Sequence, residues 1–125
     1  MVEKEVTPGS AIGVQVTFDC NARYSVYLFK RQDGGDWTNS AITPDAVISA
    51  GTASYEAGAI PGQSRWAIVV TANLTPTEAP GDVSCDVQVL VDGDSAVGQT
   101  ASGHVANPDG YLPRQVRIDV FTNEA

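Results

Sequence analysis

The sequence predicts an all-β protein, and three observations support this fold class. Apolar and polar residues alternate in several segments, as in "AIGVQVTFDC", where Ile12, Val14, Val16, Phe18 and Cys20 share one face. Asp-Gly and Pro-Gly pairs, which favour turns, separate these segments, and no segment repeats its apolar residues with a helical period. Short alternating strands at this spacing are typical of an antiparallel β-sandwich of about seven or eight strands, immunoglobulin-like in general architecture.

The first half of the chain contains four predicted strands. Residues 12–20 alternate strictly, and residues 23–31, "RYSVYLFKR", form a second extended run that ends at the turn "DGGD", 33–36. Residues 46–50 and 53–60 alternate less regularly, with a glycine between them. We therefore expect two strong strands followed by two short ones.

The second half contains the other four predicted strands. Residues 64–74 alternate throughout, and a loop rich in proline and glycine follows at 75–82. Residues 84–91 and 95–101 flank an Asp-Gly step, which supplies the positive φ angles that a tight hairpin needs. The last run, 115–121, directs alternate branched apolar residues inward.

Length and charge describe a single soluble domain. A chain of 125 residues buries about two-thirds of its unfolded surface, so residues 1–125 are predicted to form one β-sandwich domain, with 1–10 and 122–125 as flexible arms. Fifteen acidic and seven basic residues give a net charge of −8, which argues against binding of nucleic acid. Because the apolar runs are only a few residues long, no segment is expected to span a membrane.

The two cysteines are expected to face the core from different strands. Cys20 shares parity with Val16, and Cys85 shares parity with Val87. A bridge between them would close a loop of about 65 residues, worth about 4 kcal/mol in the chain-entropy model, and would indicate an oxidising compartment or an extracellular particle. We predict this disulfide; the alternative is two buried thiols that act as small apolar side chains.

Residues suited to catalysis or metal binding are sparse. His104 is the single histidine; no "GxSxG" motif of a hydrolase occurs in the chain, and His104 lies in a segment predicted as the end of a strand. The segments "DGGD" and "DGD" each offer two carboxylates but lack the regular ligands of a calcium loop, and tight turns explain them. We therefore predict a protein that is not an enzyme, with no catalytic residue, metal site or cofactor.

The segment "RYSVYLFKR" carries apolar side chains on both of its faces. One face of an antiparallel sheet is normally exposed, so the aromatic residues here could bind a protein partner or an apolar ligand. The alternative is that a loop or a terminus covers them. The candidate binding surface consists of Tyr24, Tyr27 and Phe29 with the neighbouring basic residues Arg23, Lys30 and Arg31.

The stretch "VSCDVQVLVDGDSAVGQTASG", residues 83–103, resembles part of the MmpS family, the small membrane-anchored actinobacterial proteins that accompany RND-type lipid exporters. The shared features are the Cys-x-Val-x-Val pattern from Cys85, the Val-Asp-Gly turn at 91–93 and the Thr-Ala-Ser-Gly element at 100–103. The family's membrane anchor and its second cysteine after "SG" are not in this sequence. The resemblance implies a secreted or extracytoplasmic accessory module that supports export or binding of lipids or other apolar ligands, through a protein partner such as a membrane exporter.

A second interpretation is a structural protein of an assembly, such as a phage capsid decoration or tail protein located in the virion. A small acidic β-sandwich with extended arms suits contacts with identical or neighbouring subunits. Both interpretations expect a protein partner, and both leave the ligand and the oligomeric state open.

Overall fold

The computed structural model describes residues 2–32, 35–77, 80–107 and 109–124. These described residues form seven β-strands and no helix, which confirms the all-β prediction. The strands are β1 (Val2–Glu5), β2 (Ala11–Gln32), β3 (Thr38–Ala59), β4 (Ser64–Thr75), β5 (Gly81–Val91), β6 (Asp94–Val105) and β7 (Leu112–Phe121).

Two strands are much longer than the sequence predicts. β2 joins the predicted strands 12–20 and 23–31, and β3 joins 46–50 and 53–60. The two long strands pair with each other along almost their whole length, with four register shifts, one of which lies where two residues of β2 oppose Ala50 alone. Because two residues oppose one, this irregularity is a β-bulge, which bends the pair without ending it. Ala50 itself has a φ of 40°.

All the described strands belong to one sheet, in the order β1-β7-β4-β2-β5-β6, with β3 also paired to β2. Residues 12–18 of β2 pair with β5, and residues 21–32 pair with β4, so the bulge lies where β2 changes partner. The sheet curls at this point and nearly closes, like a barrel. The finer prediction of an immunoglobulin-like sandwich is not confirmed, and the parallel pairing of β1 with β7 departs from a purely antiparallel sheet.

The curled sheet has two halves that enclose one core. We call β5, β6, residues 11–19 of β2 and residues 51–59 of β3 the β5–β6 half; β1, β4, β7 and residues 21–32 of β2 form the β4–β7 half. Alternate residues of both halves meet in a single apolar cluster, which includes Val14, Val16, Ile68, Val70, Val87, Val89, Ile118 and Val120. Burying each such side chain contributes about 1.5–3 kcal/mol. Because both inner faces meet in this core, the two outer faces point away from each other.

Both cysteines face the core as predicted, but the predicted disulfide is absent: Cys20 and Cys85 are free thiols. Cys85 is directly opposite Phe18, which makes Cys20 its diagonal neighbour. Diagonal neighbours lie about 7–8 Å apart, beyond the usual Cα separation of about 4.4–6.8 Å in a disulfide. Burial raises the pKa of Cys20 to about 11 and also raises that of Cys85, so both thiols stay protonated and pack as small apolar groups.

The segments predicted as flexible arms make specific contacts with the sheet. β1 pairs with β7, and the buried Val6 donates its N–H to the carbonyl oxygen of Phe121 at 2.9 Å. At the other end, the buried Thr122 hydroxyl donates to the Pro61 carbonyl at 2.8 Å and accepts from the Ser64 N–H at 3.0 Å. The N-terminal segment is thus partly a strand, while its flexibility stays a prediction.

Candidate functional site

Four of the six predicted binding residues lie on the outer face of the β4–β7 half. Arg23, Tyr27, Phe29 and Arg31 occupy alternate positions of β2 whose side chains point away from the core. Arg23 is exposed, and the other three are half-buried. These four residues therefore share one outward-facing surface, while their role in binding stays a prediction.

The remaining two predicted residues lie on the other side of β2. Tyr24 is only 8% exposed, and its ring centre lies 5.4 Å from that of Phe18. It shares the inward parity of Leu28, so its place on the binding surface was predicted wrongly. Lys30 has the same parity and lies at the end of the core, with its ammonium group 5.0 Å from the ring centre of Trp66.

A buried carboxylate on β7 organises the outer face. Asp119 is 1% exposed and accepts hydrogen bonds from Nη1 of Arg65 at 2.9 Å and from Nε of Arg117 at 2.9 Å. Glu3 accepts a further bond from Arg65 at 2.9 Å. Burial alone would lower the pKa of Arg65, but its bonds to Glu3 and Asp119 outweigh burial and raise it. The bonds to Asp119 likewise raise the pKa of Arg117, so both guanidinium groups stay charged.

Each of these guanidinium groups also lies over an aromatic ring. Arg65 is 4.8 Å from the ring centre of Phe121, and Arg117 is 5.7 Å from that of Trp37. A cation over a ring face is attracted by about 0.5–1 kcal/mol at exposed sites. Hydrogen bonds and ring contacts together hold the two cations in fixed positions.

An apolar strip joins the arginine cluster to the aromatic residues of β2. Ala67 pairs with Phe29 and Val69 pairs with Tyr27 across β4 and β2. Ala67 and Val69 lie on the outer face but are only 1% and 8% exposed. The longer side chains of the surrounding residues cover these two small ones. We call this surface the arginine–aromatic face; it comprises Arg23, Tyr27, Phe29, Arg31, Trp37, Arg65, Arg117 and Phe121, with Asp119 beneath.

Sequence reasoning missed the arginine cluster. Arg65 and Asp119 are 54 positions apart and become neighbours only because β4 pairs with β7. The available signal was the alternation of "RQVRIDVF", which directs Arg117 and Asp119 outward with opposite charges. Without the strand order, this signal does not identify the partner from β4.

The outer face of the β5–β6 half has the opposite character. All seven Lys and Arg residues belong to the β4–β7 half, as the strand bounds show. The β5–β6 half with its connecting turn contains no Lys or Arg, and its acidic residues are Asp19, Glu56, Asp82, Asp86, Asp92 and Asp94. We call this surface the acidic face.

Hydrogen bonds from Thr, Gln and His side chains order the carboxylates of the acidic face. Asp86 accepts from the Thr100 hydroxyl at 3.0 Å and from the Gln88 amide at 3.0 Å. Nδ1 of His104 lies 2.8 Å from the Asp82 carboxylate, and both side chains are exposed to water. Because solvent screens such a pair strongly, it contributes little to stability.

Depressions beside the arginine–aromatic face are open to water. One of about 300 Å³ is lined by Arg23, Ser25, Thr71, Asn73 and Gln115, among others. A second, of about 600 Å³, is lined by Arg31, Gln63, Arg65, Phe121 and Asn123, among others. Both depressions are open, and polar and apolar atoms contribute about equally to their linings. Open depressions of mixed lining suit contact with a surface better than enclosure of an apolar molecule.

Comparison of the chain with protein-family models, with curated proteins and with solved structures finds no match. Within the described ranges, no three His, Cys, Asp or Glu residues lie close enough together to hold a metal ion. The same part of the chain contains no helix long and apolar enough to cross a bilayer. The arginine–aromatic face is therefore interpreted from its own geometry.

Proposed function

We propose that this protein is a non-enzymatic binding module that holds a protein partner on the arginine–aromatic face. The observation that carries the proposal is the pair of arginines fixed by the buried Asp119 beside the half-buried Tyr27 and Phe29. Arginine and aromatic residues dominate the energetic centres of protein interfaces. Side chains that are already ordered lose little conformational freedom on binding.

A protein partner fits this face better than a lipid chain does. The apolar strip lies on a sheet surface, and the depressions next to it are open and have mixed polar and apolar linings, whereas small apolar ligands bind in enclosed, mostly apolar clefts. A role in lipid export would then act through contact with an exporter, as the resemblance to MmpS implies. Because Cys20 and Cys85 are free, the proposed location outside the cytoplasm depends on that resemblance alone.

A second candidate function is a structural subunit of an assembly, such as a phage capsid decoration or tail protein. The observation that favours it is the opposite charge of the two outer faces, since a subunit inside an assembly contacts neighbours on more than one side. The two candidates share the arginine–aromatic face as a contact surface.

Site-specific photo-crosslinking tests the binding role. The photoreactive residue p-benzoylphenylalanine replaces Tyr27 in one sample and, as the matched control, replaces Tyr111, a tyrosine that is 62% exposed outside both faces. In the organism of origin we expect a crosslinked species from position 27 that is much weaker from position 111. Equal crosslinking at both positions would contradict the proposal.

A titration with a dansyl-labelled fatty acid tests the alternative ligand. We expect no saturable fluorescence change for the unmodified protein. A saturable signal that disappears in the Tyr27→Ala and Phe29→Ala variants would replace the protein partner by an apolar ligand.

A further inference from the structure

We infer that the arginine–aromatic face of one copy of this chain binds the acidic face of a second copy, so that copies join head to tail. The inference rests on the proposed function, because it names the partner of the same face.

The separation of charges selects one relative orientation. With a net charge of −8, two copies repel each other in most orientations. Attraction is available where the outward arginines of the β4–β7 half, which are Arg23, Arg31, Arg65 and Arg117, meet the outer face of the half that carries no Lys or Arg. Complementary charge of this kind selects the partner surface and fixes its orientation.

Both faces present charged groups without an opposite charge inside the molecule. Among the described residues, the exposed Arg23 makes no ion pair, and neither does the exposed Glu56. The carboxylate of Asp86 has only the neutral partners Thr100 and Gln88. An ion pair between copies would therefore not have to break one within a copy.

The two faces match in size. On the β5–β6 half, four neighbouring strand segments spaced about 4.8 Å apart, each about nine residues long at about 3.3 Å per residue, present about 600 Å². The β4–β7 half presents a similar area, because β4, β7 and residues 21–32 of β2 have ten to twelve residues each and β1 adds four. An area of this size is close to a tenth of the accessible surface of 6561 Å² and approaches the roughly 800 Å² that each partner buries in a standard interface. We therefore expect a specific contact of low affinity.

The opposite directions of the two faces determine the type of assembly. After one contact forms, the first copy still presents its acidic face and the second copy its arginine–aromatic face. Such a heterologous contact continues into a ring or a filament, whereas a two-fold symmetric contact stops at a dimer.

Sedimentation and light scattering over a range of concentrations test the association. We expect the average mass to rise beyond that of a dimer at about 20 mM NaCl and to fall back toward the monomer at about 500 mM NaCl, because salt shortens the reach of the charges. Arg23→Glu and Glu56→Lys should each weaken the association about tenfold or more. Asp109→Lys, which changes the net charge as Glu56→Lys does but lies in the loop before β7, should not weaken it.

A mixture of the two weakened variants gives the sharpest test. Arg23→Glu retains an intact acidic face, and Glu56→Lys retains an intact arginine–aromatic face. Mixed in equal amounts, they can form one native contact, but their two altered faces have reversed and still opposite charges and could also meet. Neutral Arg23→Gln and Glu56→Gln, mixed in the same way, leave no charge pair between the altered faces, so from that mixture we expect a 1:1 heterodimer and no larger species. Loss of all association in the mixture, or a wild-type mass that stops at the dimer, would overturn the head-to-tail arrangement.

The mass of the photo-crosslinked species separates this inference from the proposed function. A species of twice the chain mass, joined through position 27, agrees with both. A species with a different protein, together with a monomer at every concentration and salt, overturns the self-association but supports the binding role. A monomer at every condition without specific crosslinking overturns both.

Discussion

Replacing Asp119 by asparagine tests whether the buried carboxylate holds the arginine–aromatic face together. The carboxylate accepts three hydrogen bonds from two guanidinium groups, and removing one partner of a fully buried ion pair costs about 3–5 kcal/mol. The side chains of Arg65 and Arg117 are 33% and 46% exposed, so water replaces part of the lost interaction. We therefore expect Asp119→Asn to lower the free energy of unfolding by about 2–3 kcal/mol.

Urea denaturation followed by tryptophan fluorescence measures this change, because Trp66 is 5% exposed in the core. For a domain of this size the melting temperature should fall by about 6–15 °C. Glu3→Gln is the matched control: its side chain is 43% exposed and accepts one bond from Arg65, so its change should stay below about 1 kcal/mol.

The reasoning fails if Asp119→Asn and Glu3→Gln lower the stability equally. It also fails if Asp119→Asn changes the free energy of unfolding by less than about 0.5 kcal/mol, the usual scale of surface substitutions. Either result would mean that the two arginines keep their positions without the carboxylate.

Three further predictions concern the core and one turn. Burial raises the pKa of the Cys20 thiol from 9.0 to about 11, so the stability that the protonated thiol contributes is complete below pH 9 and is lost as the pH rises toward 11. The urea midpoints measured at pH 8 and at pH 10.5 should therefore differ less in Cys20→Ala than in the unmodified protein. An equal difference in the two proteins would contradict this. The buried Tyr55 hydroxyl has no hydrogen-bond partner among the described residues, so Tyr55→Phe should raise stability by about 1 kcal/mol, and a clear loss would reveal an important polar contact. Gly93 has a φ of +88° in the turn between β5 and β6, so Gly93→Ala should cost about 1 kcal/mol; Gly13→Ala, whose new Cβ meets only ordinary contacts, should cost less.

The direction of side chains could be predicted from the sequence, because alternation is a local property of a strand. The residues predicted to face inward between Ile12 and Cys20, and between Cys85 and Val91, are buried or nearly so. The sequence does not show that the predicted strands 12–20 and 23–31 form one strand, β2, or that 46–50 and 53–60 belong to one strand, β3. The reason is that a bulge interrupts the alternation without ending the pairing. β1 was missed because the segment "VEKE" carries three charges and pairs only at an edge.

Positions across strands could not be predicted, because alternation does not give register. Parity directs Cys20 and Cys85 to the same core, but only the pairing of Phe18 with Cys85 shows that they are diagonal. The contact between Arg65 and Asp119 could not be predicted for the same reason, because it depends on the register between β4 and β7. The separation of basic from acidic strands becomes visible in the sequence once the strand order is known.

The change of partner within β2 has a consequence for folding. The hairpin of β2 and β3 is local in the chain, but β4 and β5 can add to it only after long loops close, which makes such topologies slow to fold. Since β2 supplies a strand to both halves, neither half retains a complete sheet when β2 detaches. The chain should therefore lose its structure in one cooperative step, with hydrogen exchange in β4 and β5 protected to the same global free energy.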